Sequence, residues 1–480
     1  MQIPRPPAST STMQEKRRLR SDAVHIPNFA SLPRIGMVAS GGDHTLAISE
    51  YGRSVFGRHS VRFREEGSDV RTINVAIVPV HGTGTVSDIV CVSTGTYHSG
   101  ALTSDGEVLL FGWHCGKGPR DFDDAHDTKM RVKFDRPMFG GVRVTMVACG
   151  GSHTLMLTEQ GTVFGHGRSD HGELGIVSRL FQTEPVEIDA AKFDGDSVAF
   201  IAAGSFCSVV IASNGNVWTF GNGAEGRLGH DTIMSCNLPK KLQGQFGGAS
   251  VCFAACGLTH IMFLTRCGVL WGCGDKAFGQ LGIGKIDLVV HSVPVRVGGS
   301  DVFGGSPVRM VDCGNFFTVA VTEAGMVWTW GNGNSGPLGH GDTRCRIWPT
   351  MVKAKHFGFA RITAVTAGCG HMAALAENGA IFMCGQGGLE GAASYSVHCK
   401  PQRYTPCQIA PSELEGLRIG RGLPLPASKC LAFAMGTHTS LSRRLQNHAS
   451  PVFCLEGNQD LVRMIAEACE DAVLKPSLGL

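Results

Sequence analysis

Gly150-Gly-Ser-His153-Thr-Leu-Met-Leu-Thr-Glu-Gln-Gly161-Thr-Val-Phe-Gly-His-Gly167 decides how this chain folds. Its apolar residues come in short runs bounded by glycines and polar turn residues, the pattern of strand, turn, strand. Its anchors recur as Gly95/His98/Gly106/Gly112, Gly204/Cys207/Gly215/Gly221, Gly257/His260/Gly268/Gly274, Gly314/Phe317/Gly325/Gly331 and Gly368/His371/Gly379/Gly385. A degenerate copy begins at Gly41/His44/Gly52. Anchors at 44, 98, 153, 207, 260, 317 and 371 are 53 to 57 residues apart, and a fixed period in that range marks a repeat architecture.

Within each repeat, Asp105-Gly106, Asn214-Gly215 and Asn378-Gly379 are dipeptides that tolerate positive φ in a tight hairpin. Another apolar run precedes each hairpin, as in Val308 to Cys313. A Pro with a short apolar run follows it: Pro79, Pro137, Pro185, Pro239, Pro294, Pro349 and Pro406. Lacking an amide, Pro places this fourth run at a sheet edge or at a strand start. Four antiparallel strands per repeat make a propeller blade. The expected fold is all-β, a seven-bladed β-propeller of four-stranded antiparallel blades. A half-repeat, Cys430 to Ser442, is expected to close the ring by pairing with N-terminal strands. An eighth, incomplete blade is the alternative. The expected organisation is a disordered basic arm (1–30), the propeller (31–442) and a C-terminal tail (443–480). Leu461, Met464, Ile465, Ala468 and Ala472 in that tail are spaced as on a helix.

Gly at 65 of 480 residues exceeds the usual share of about 7%, and the ladder accounts for the excess. A net charge of +3 does not call for a polyanionic partner of the ring. With no apolar run of membrane-spanning length and no signal-peptide core, a soluble protein of cytoplasm or nucleus is expected. Cys149, Cys256 and Cys313 precede ladder glycines where a sibling repeat has Ala203, so small buried hydrophobes are expected there.

Gly221-Asn-Gly223-Ala-Glu-Gly226 has the glycine spacing of a dinucleotide fingerprint. Gly331-Asn-Gly333-Asn-Ser-Gly336 repeats it with no helix following either, which makes it a structural turn. Cys207 and Phe317 take the place of the repeated histidines, so a His held by backbone hydrogen bonds inside its blade is expected rather than a metal site. No motif calls for a catalytic residue, a metal or a cofactor. The variable residues between the turn glycines should emerge on one face, where binding residues collect. The partner-binding candidates are Arg168, Asp170, His171, Glu225, Arg227, Asp275, Lys276 and Asn334. Lys16, Arg17, Arg18 and Arg20 in the N-terminal arm are a candidate nuclear address or nucleic-acid contact.

The combination of Val/Ile-x-x-Val-x-Cys-Gly-x-x-His-Thr, Gly-x-Val-x-x-x-Gly and Gly-x-Leu-Gly resembles the regulator of chromosome condensation repeat over about residues 33–442. The resemblance implies a seven-bladed propeller. It leaves function open among exchange factors for the Ran GTPase, repeat domains of ubiquitin ligases and ciliary proteins, kinase-attached regulators and an ultraviolet-B photoreceptor. The exchange factors project a hairpin wedge, which the evenly spaced third to fifth repeats leave little room for. The photoreceptor needs tryptophans crowded on one face, and here Trp218, Trp271 and Trp328 occupy strand positions. The expectation is a non-enzymatic scaffold that binds a protein partner, with a small GTPase as one candidate. A Ran-type guanine-nucleotide exchange factor is the first alternative, and a chromatin-associated module the second.

Overall fold

The computed structural model describes residues 35–42, 44–49, 55–56, 58–63, 71–76, 89–112, 131–178, 181–284, 290–299, 301–386 and 403–409. Among them are six four-stranded antiparallel sheets, each with its strands paired in chain order. They span 89–134, 144–187, 198–241, 251–296, 308–351 and 362–408, blades 1 to 6 of an all-β propeller. A three-stranded sheet, Ile35–Ser40, Thr45–Ser49 and Val55–Phe56, precedes them, with a separate hairpin of Arg58–Phe63 and Arg71–Ala76. The first strand of that sheet packs against both blade 6 and blade 1. The half-repeat at Cys430, the basic arm and the helical pattern after Asn458 lie outside the described residues. Among the described residues no helix is long and apolar enough to cross a membrane.

Blade 3 shows why the strands read as apolar runs rather than alternations. Val198–Ala203, Cys207–Ala212 and Val217–Gly221 are buried along their whole length, because neighbouring blades cover both faces. Only the fourth strand, Cys236–Lys241, is partly open to solvent. Pro185, Pro239, Pro294, Pro349 and Pro406 each sit inside such a fourth strand, at the outer edge of the sheet. There a missing amide faces no further neighbour. Pro137 departs from the expectation. Blade 1's fourth strand is Arg131–Phe134, and Pro137 is the second residue of a 3-10 turn that follows it, Arg136–Phe139.

The connections between blades carry an aromatic seam. Phe139, Phe193, Phe246, Phe303 and Phe357 meet Phe164, Trp218, Trp271, Trp328 and Phe382 of the following blade's third strand edge to face. Their centroids are 5.2 to 6.0 Å apart and their planes at 81 to 86°. This is the favoured geometry of two ring quadrupoles, and it gives three tryptophans a packing role.

Toward the ring axis, the turn between first and second strands brings backbones into contact. A Cβ on Gly257 would lie 2.4 Å from the Gly314 carbonyl oxygen. The same approach runs from Gly41 to Gly95, Gly95 to Gly150, Gly150 to Gly204, Gly204 to Gly257, Gly314 to Gly368 and Gly368 back to Gly41. These positions need glycine for space, since none of them has positive φ.

The ladder histidines do more than bond backbone inside their own blade, the role the sequence suggests and one that His371 fills at Gln386. Each reaches into the next sheet through Nε2: His44 to Ser99 at 2.9 Å, His98 to Thr154 at 2.7 Å, His153 to Ser208 at 2.9 Å, His260 to Thr318 at 2.9 Å and His371 to Thr45 at 2.8 Å. The Ser208 hydroxyl donates its proton to the Glu173 carbonyl at 2.7 Å, and Thr318 donates to the Gln280 carbonyl at 2.8 Å. A hydroxyl has one proton to give, so His153 and His260 must be the donors in their pairs. Where Cys207 and Phe317 replace His, the facing hydroxyl is replaced by Ile261 and Met372. The loop carbonyl left without its hydroxyl donor is served by a thiol: Cys273 Sγ donates to the Arg227 oxygen at 3.0 Å, and Cys384 Sγ to the Pro337 oxygen at 3.4 Å.

These links make stability depend on pH. Burial pushes His153 and His371 down to about 4, and burial with the Arg227 charge pushes His260 to about 3. The unfolded chain binds protons at these groups below about 6.5 while the folded chain does not, so stability falls as pH drops from about 6.5 toward 4. Burial raises Asp312 to about 6. Its folded carboxyl, like that of Glu173, therefore holds a proton that the unfolded chain releases, which opposes the trend, but His166, His230 and His340 are also pushed down to about 4, so the lowered imidazoles outnumber the raised acids. The melting temperature is expected to fall between pH 7 and pH 5. A variant combining His260→Phe with Thr318→Met is expected to lose part of that slope. An unchanged slope in the double variant would exclude the His260 imidazole as a source.

Candidate functional site

Cys207 pairs with Gly221 across the second and third strands, as His153 does with Gly167, His260 with Gly274 and Phe317 with Gly331. The turn before the second strand and the loop after the third therefore emerge at one end of every blade. That end is the loop face the sequence predicts. Each loop is pinned by one leucine, Leu174, Leu228, Leu281 or Leu338, at most 1% exposed.

Of the candidates on these loops, Arg168, Asp170, His171 and Asn334 are exposed, and Glu225 and Asp275 are half-buried. Arg168 forms an ion pair with Asp170. Such an exposed pair contributes little to stability. Arg227 and Lys276 are not presented on the surface, each being only 4% exposed. Arg227 donates through Nε to the Ala224 carbonyl at 2.9 Å and pairs with Glu225, while Lys276 Nζ lies 3.3 Å from His291 Nε2. Their long stems let both cations brace the loops from inside. Asp275 acts within its own turn, accepting from the Ala277 N–H at 2.9 Å and from Gln280 Nε2 at 2.8 Å.

Sequence reasoning missed the aromatic residues of this face. Tyr97 and Phe206, both in the turn before the second strand, are 39% and 42% exposed. The His171 ring meets Phe206 at 6.1 Å, and Phe278 meets Phe316 at 5.3 Å, each pair bridging adjacent blades. The residue just before each ladder anchor was the available signal.

The axis holds a narrow channel with a cavity of about 80 Å³, lined by Cys149, Cys256, Cys313 and Asp312 among others. Cys149 and Cys313 are buried as expected, and Cys256 is half-buried against the channel. Asp312 accepts the N–H of Cys313 at 2.9 Å and that of Ala367 in the next blade at 2.8 Å. Ser93 and Thr366 hold the amides of Cys149 and Ser40 from the equivalent place, each at 2.9 Å. Asp312 is thus one of a set of inter-blade caps. Among the described residues no group of three or more His, Cys, Asp or Glu is placed to hold a metal ion.

The family model described as the RCC1-like domain matches residues 123–442. The chain belongs to the RCC1-like domain family. Within that family it is similar to the ultraviolet-B receptor UVR8 of Arabidopsis thaliana, 31% identical over 325 residues, which cover 67% of this chain and 70% of the receptor. It is 29% identical to the human E3 ubiquitin-protein ligase HERC2 over 368 residues, 74% of this chain and only 7% of HERC2. Among solved structures it resembles human WBSCR16, with a TM-score of 0.56 at 22% identity over 72% of this chain and 88% of that one. Prp20p from Saccharomyces cerevisiae also has a TM-score of 0.56, at 23% identity over 70% of this chain and 80% of that one. Likeness at such identities is one of RCC1-like fold.

Proposed function

We propose that this protein is a non-enzymatic propeller scaffold that binds a protein partner through its loop face. A small GTPase is the partner class to test first. The observation that carries this reading is the loop face itself. Exposed Arg168, Asp170, His171 and Asn334 lie with half-exposed Tyr97 and Phe206 at one end of the blades, on loops pinned by buried leucines. Binding residues collect on such loops when the scaffold beneath is rigid. The ring in this reading has seven blades, the three-stranded N-terminal sheet being the inner part of the seventh. The glycine contact from Gly368 to Gly41 supports that count, and the half-repeat at Cys430 would supply the missing strand pairing.

The rival reading is guanine-nucleotide exchange. Its support is the basic arm at Lys16 to Arg20 and the family likeness to Prp20p, a protein described by its binding to Gsp1p and histones. The same basic arm would serve a chromatin-associated module, and whether the protein works in cytoplasm or nucleus follows from its partner. Release of labelled GDP from a panel of purified GTPases separates the two classes. Flat traces are expected, and clear acceleration of any one would replace the scaffold with an exchange factor. For the scaffold itself, Arg168→Glu with Asp170→Lys is expected to lose partners that the wild type and Lys355→Glu retain. Lys355 is an exposed residue in the inter-blade 3-10 turn Ala354–Phe357. Equal recovery by all three proteins would remove the loop face from partner binding.

A further inference from the structure

The loop of blade 2 buries a charge that its turn does not need. Glu173 is 4% exposed, and its Oε2 accepts the His171 backbone N–H at 2.9 Å. Blade 4 performs the same task with a neutral side chain, since Gln280 Oε1 accepts the Phe278 N–H at 2.9 Å. The Gln280 amide nitrogen then donates to Asp275 Oδ2 at 2.8 Å and to Thr259 Oγ1 at 3.4 Å, so both ends of that side chain are occupied. In blade 2 the places of Asp275 and Thr259 are taken by Arg168 and Ser152, and Arg168 turns outward to Asp170. Glu173 has no ion pair among the described residues. A cavity of about 80 Å³ lies beside it, lined by Ser152, His153, Arg168, His171, Ser205 and Phe206.

A buried carboxylate without an ion pair is costly, and although the Arg168 charge bears on Glu173, burial holds its carboxyl above the ordinary range. The cavity wall is aromatic, with the His171 and Phe206 rings edge to face. Of the two nearby carboxylates, Glu173 lines the cavity and Asp170 pairs with Arg168, the guanidinium in its wall. A carboxylate beside an aromatic ring attracts a cation by charge-assisted hydrogen bonding and by the ring quadrupole. We propose that this cavity receives a cationic side-chain end, a guanidinium or an ammonium, from the protein partner. The proposal rests on the loop-face reading above and names the chemistry one of its subsites recognises.

Saturation-transfer NMR on the full chain tests it with N-acetyl-arginine amide, N-acetyl-lysine amide and the neutral N-acetyl-citrulline amide. At least one cationic probe is expected to bind, and the arginine and lysine arms distinguish guanidinium from ammonium. Citrulline is expected to bind about tenfold more weakly or worse. Glu173→Gln is expected to weaken the cationic probes by about tenfold, with folding checked by the melting profile, since Gln280 shows that the turn accepts the amide oxygen. Phe206→Ala, at an exposed turn, is expected to weaken them through the lost ring. Arg168→Ala, which removes a like charge, is expected to strengthen them. Citrulline binding as well as the cations, or cationic binding undiminished in Glu173→Gln, overturns the proposal. So does loss of binding in Arg168→Ala, which would make a like charge a requirement of the site. The probes address the cavity alone, so their failure leaves the loop face to stand or fall on partner recovery by the Arg168→Glu, Asp170→Lys variant.

Discussion

Gly257→Val is expected to lower the yield of folded protein sharply and to destabilise what remains by about 3 kcal/mol or more. The first added carbon would sit 2.4 Å from the Gly314 carbonyl oxygen, with the His260 ring 2.9 Å away on another side. The obstacle is backbone in the next blade. It cannot swing aside as a side-chain tip would, so the strain must spread into two blades at once. Gly299 is the internal control, because a Cβ there meets nothing within 4 Å. Gly299→Ala is expected to melt with the wild type. Urea unfolding of the three proteins side by side reads the difference. A Gly257→Val protein that unfolds at the wild-type midpoint but has lost a single interaction would make the turn a binding element.

The second large effect is expected at Trp218. Its side chain is 1% exposed, meets Phe193 at 5.8 Å and lies under Lys241 Nζ at 5.0 Å. Trp218→Ala is expected to cost about 3 to 5 kcal/mol through lost burial and the cavity left behind. Trp218→Phe is expected to cost about 1 kcal/mol, because blades 2 and 6 carry Phe164 and Phe382 at this place in the same seam. Phe193→Ala combined with Trp218→Ala is expected to cost less than the two separately, since they remove one shared contact. Equal effects of the Ala and Phe variants at 218 would mean that the edge-to-face geometry contributes nothing.

The blades were legible because glycine spacing and apolar runs are properties of a single repeat. What links one repeat to the next was harder to see. His153 announces itself within its own copy, but its partner Ser208 becomes visible only when the residue after each anchor is compared with the preceding copy. Done that way, Ile261 and Met372 stand out beside Cys207 and Phe317. On the loop face, Arg227 and Lys276 are expected at the surface as variable residues of the glycine turns, whereas their long stems let the turns enclose them. The carboxylate at Glu173 escaped notice for a related reason. Its place in the Gly-x-Leu-Gly element looks purely structural, and only the contrast with Gln280 separates its turn bond from its unused charge.

The inter-blade histidine bond also sets a rule for anyone who would build a symmetric ring from identical copies of one module. Blades 1 and 2 carry both halves of the bond, His98 with Ser99 and His153 with Thr154, so a concatemer of either would satisfy every junction. Blade 3 pairs Cys207 with Ser208, blade 4 His260 with Ile261, blade 5 Phe317 with Thr318 and blade 6 His371 with Met372. Each of these four is matched to its natural neighbours and mismatched to itself. Repeated head to tail, it would leave a polar group without its counterpart at every seam, however well the isolated module folds.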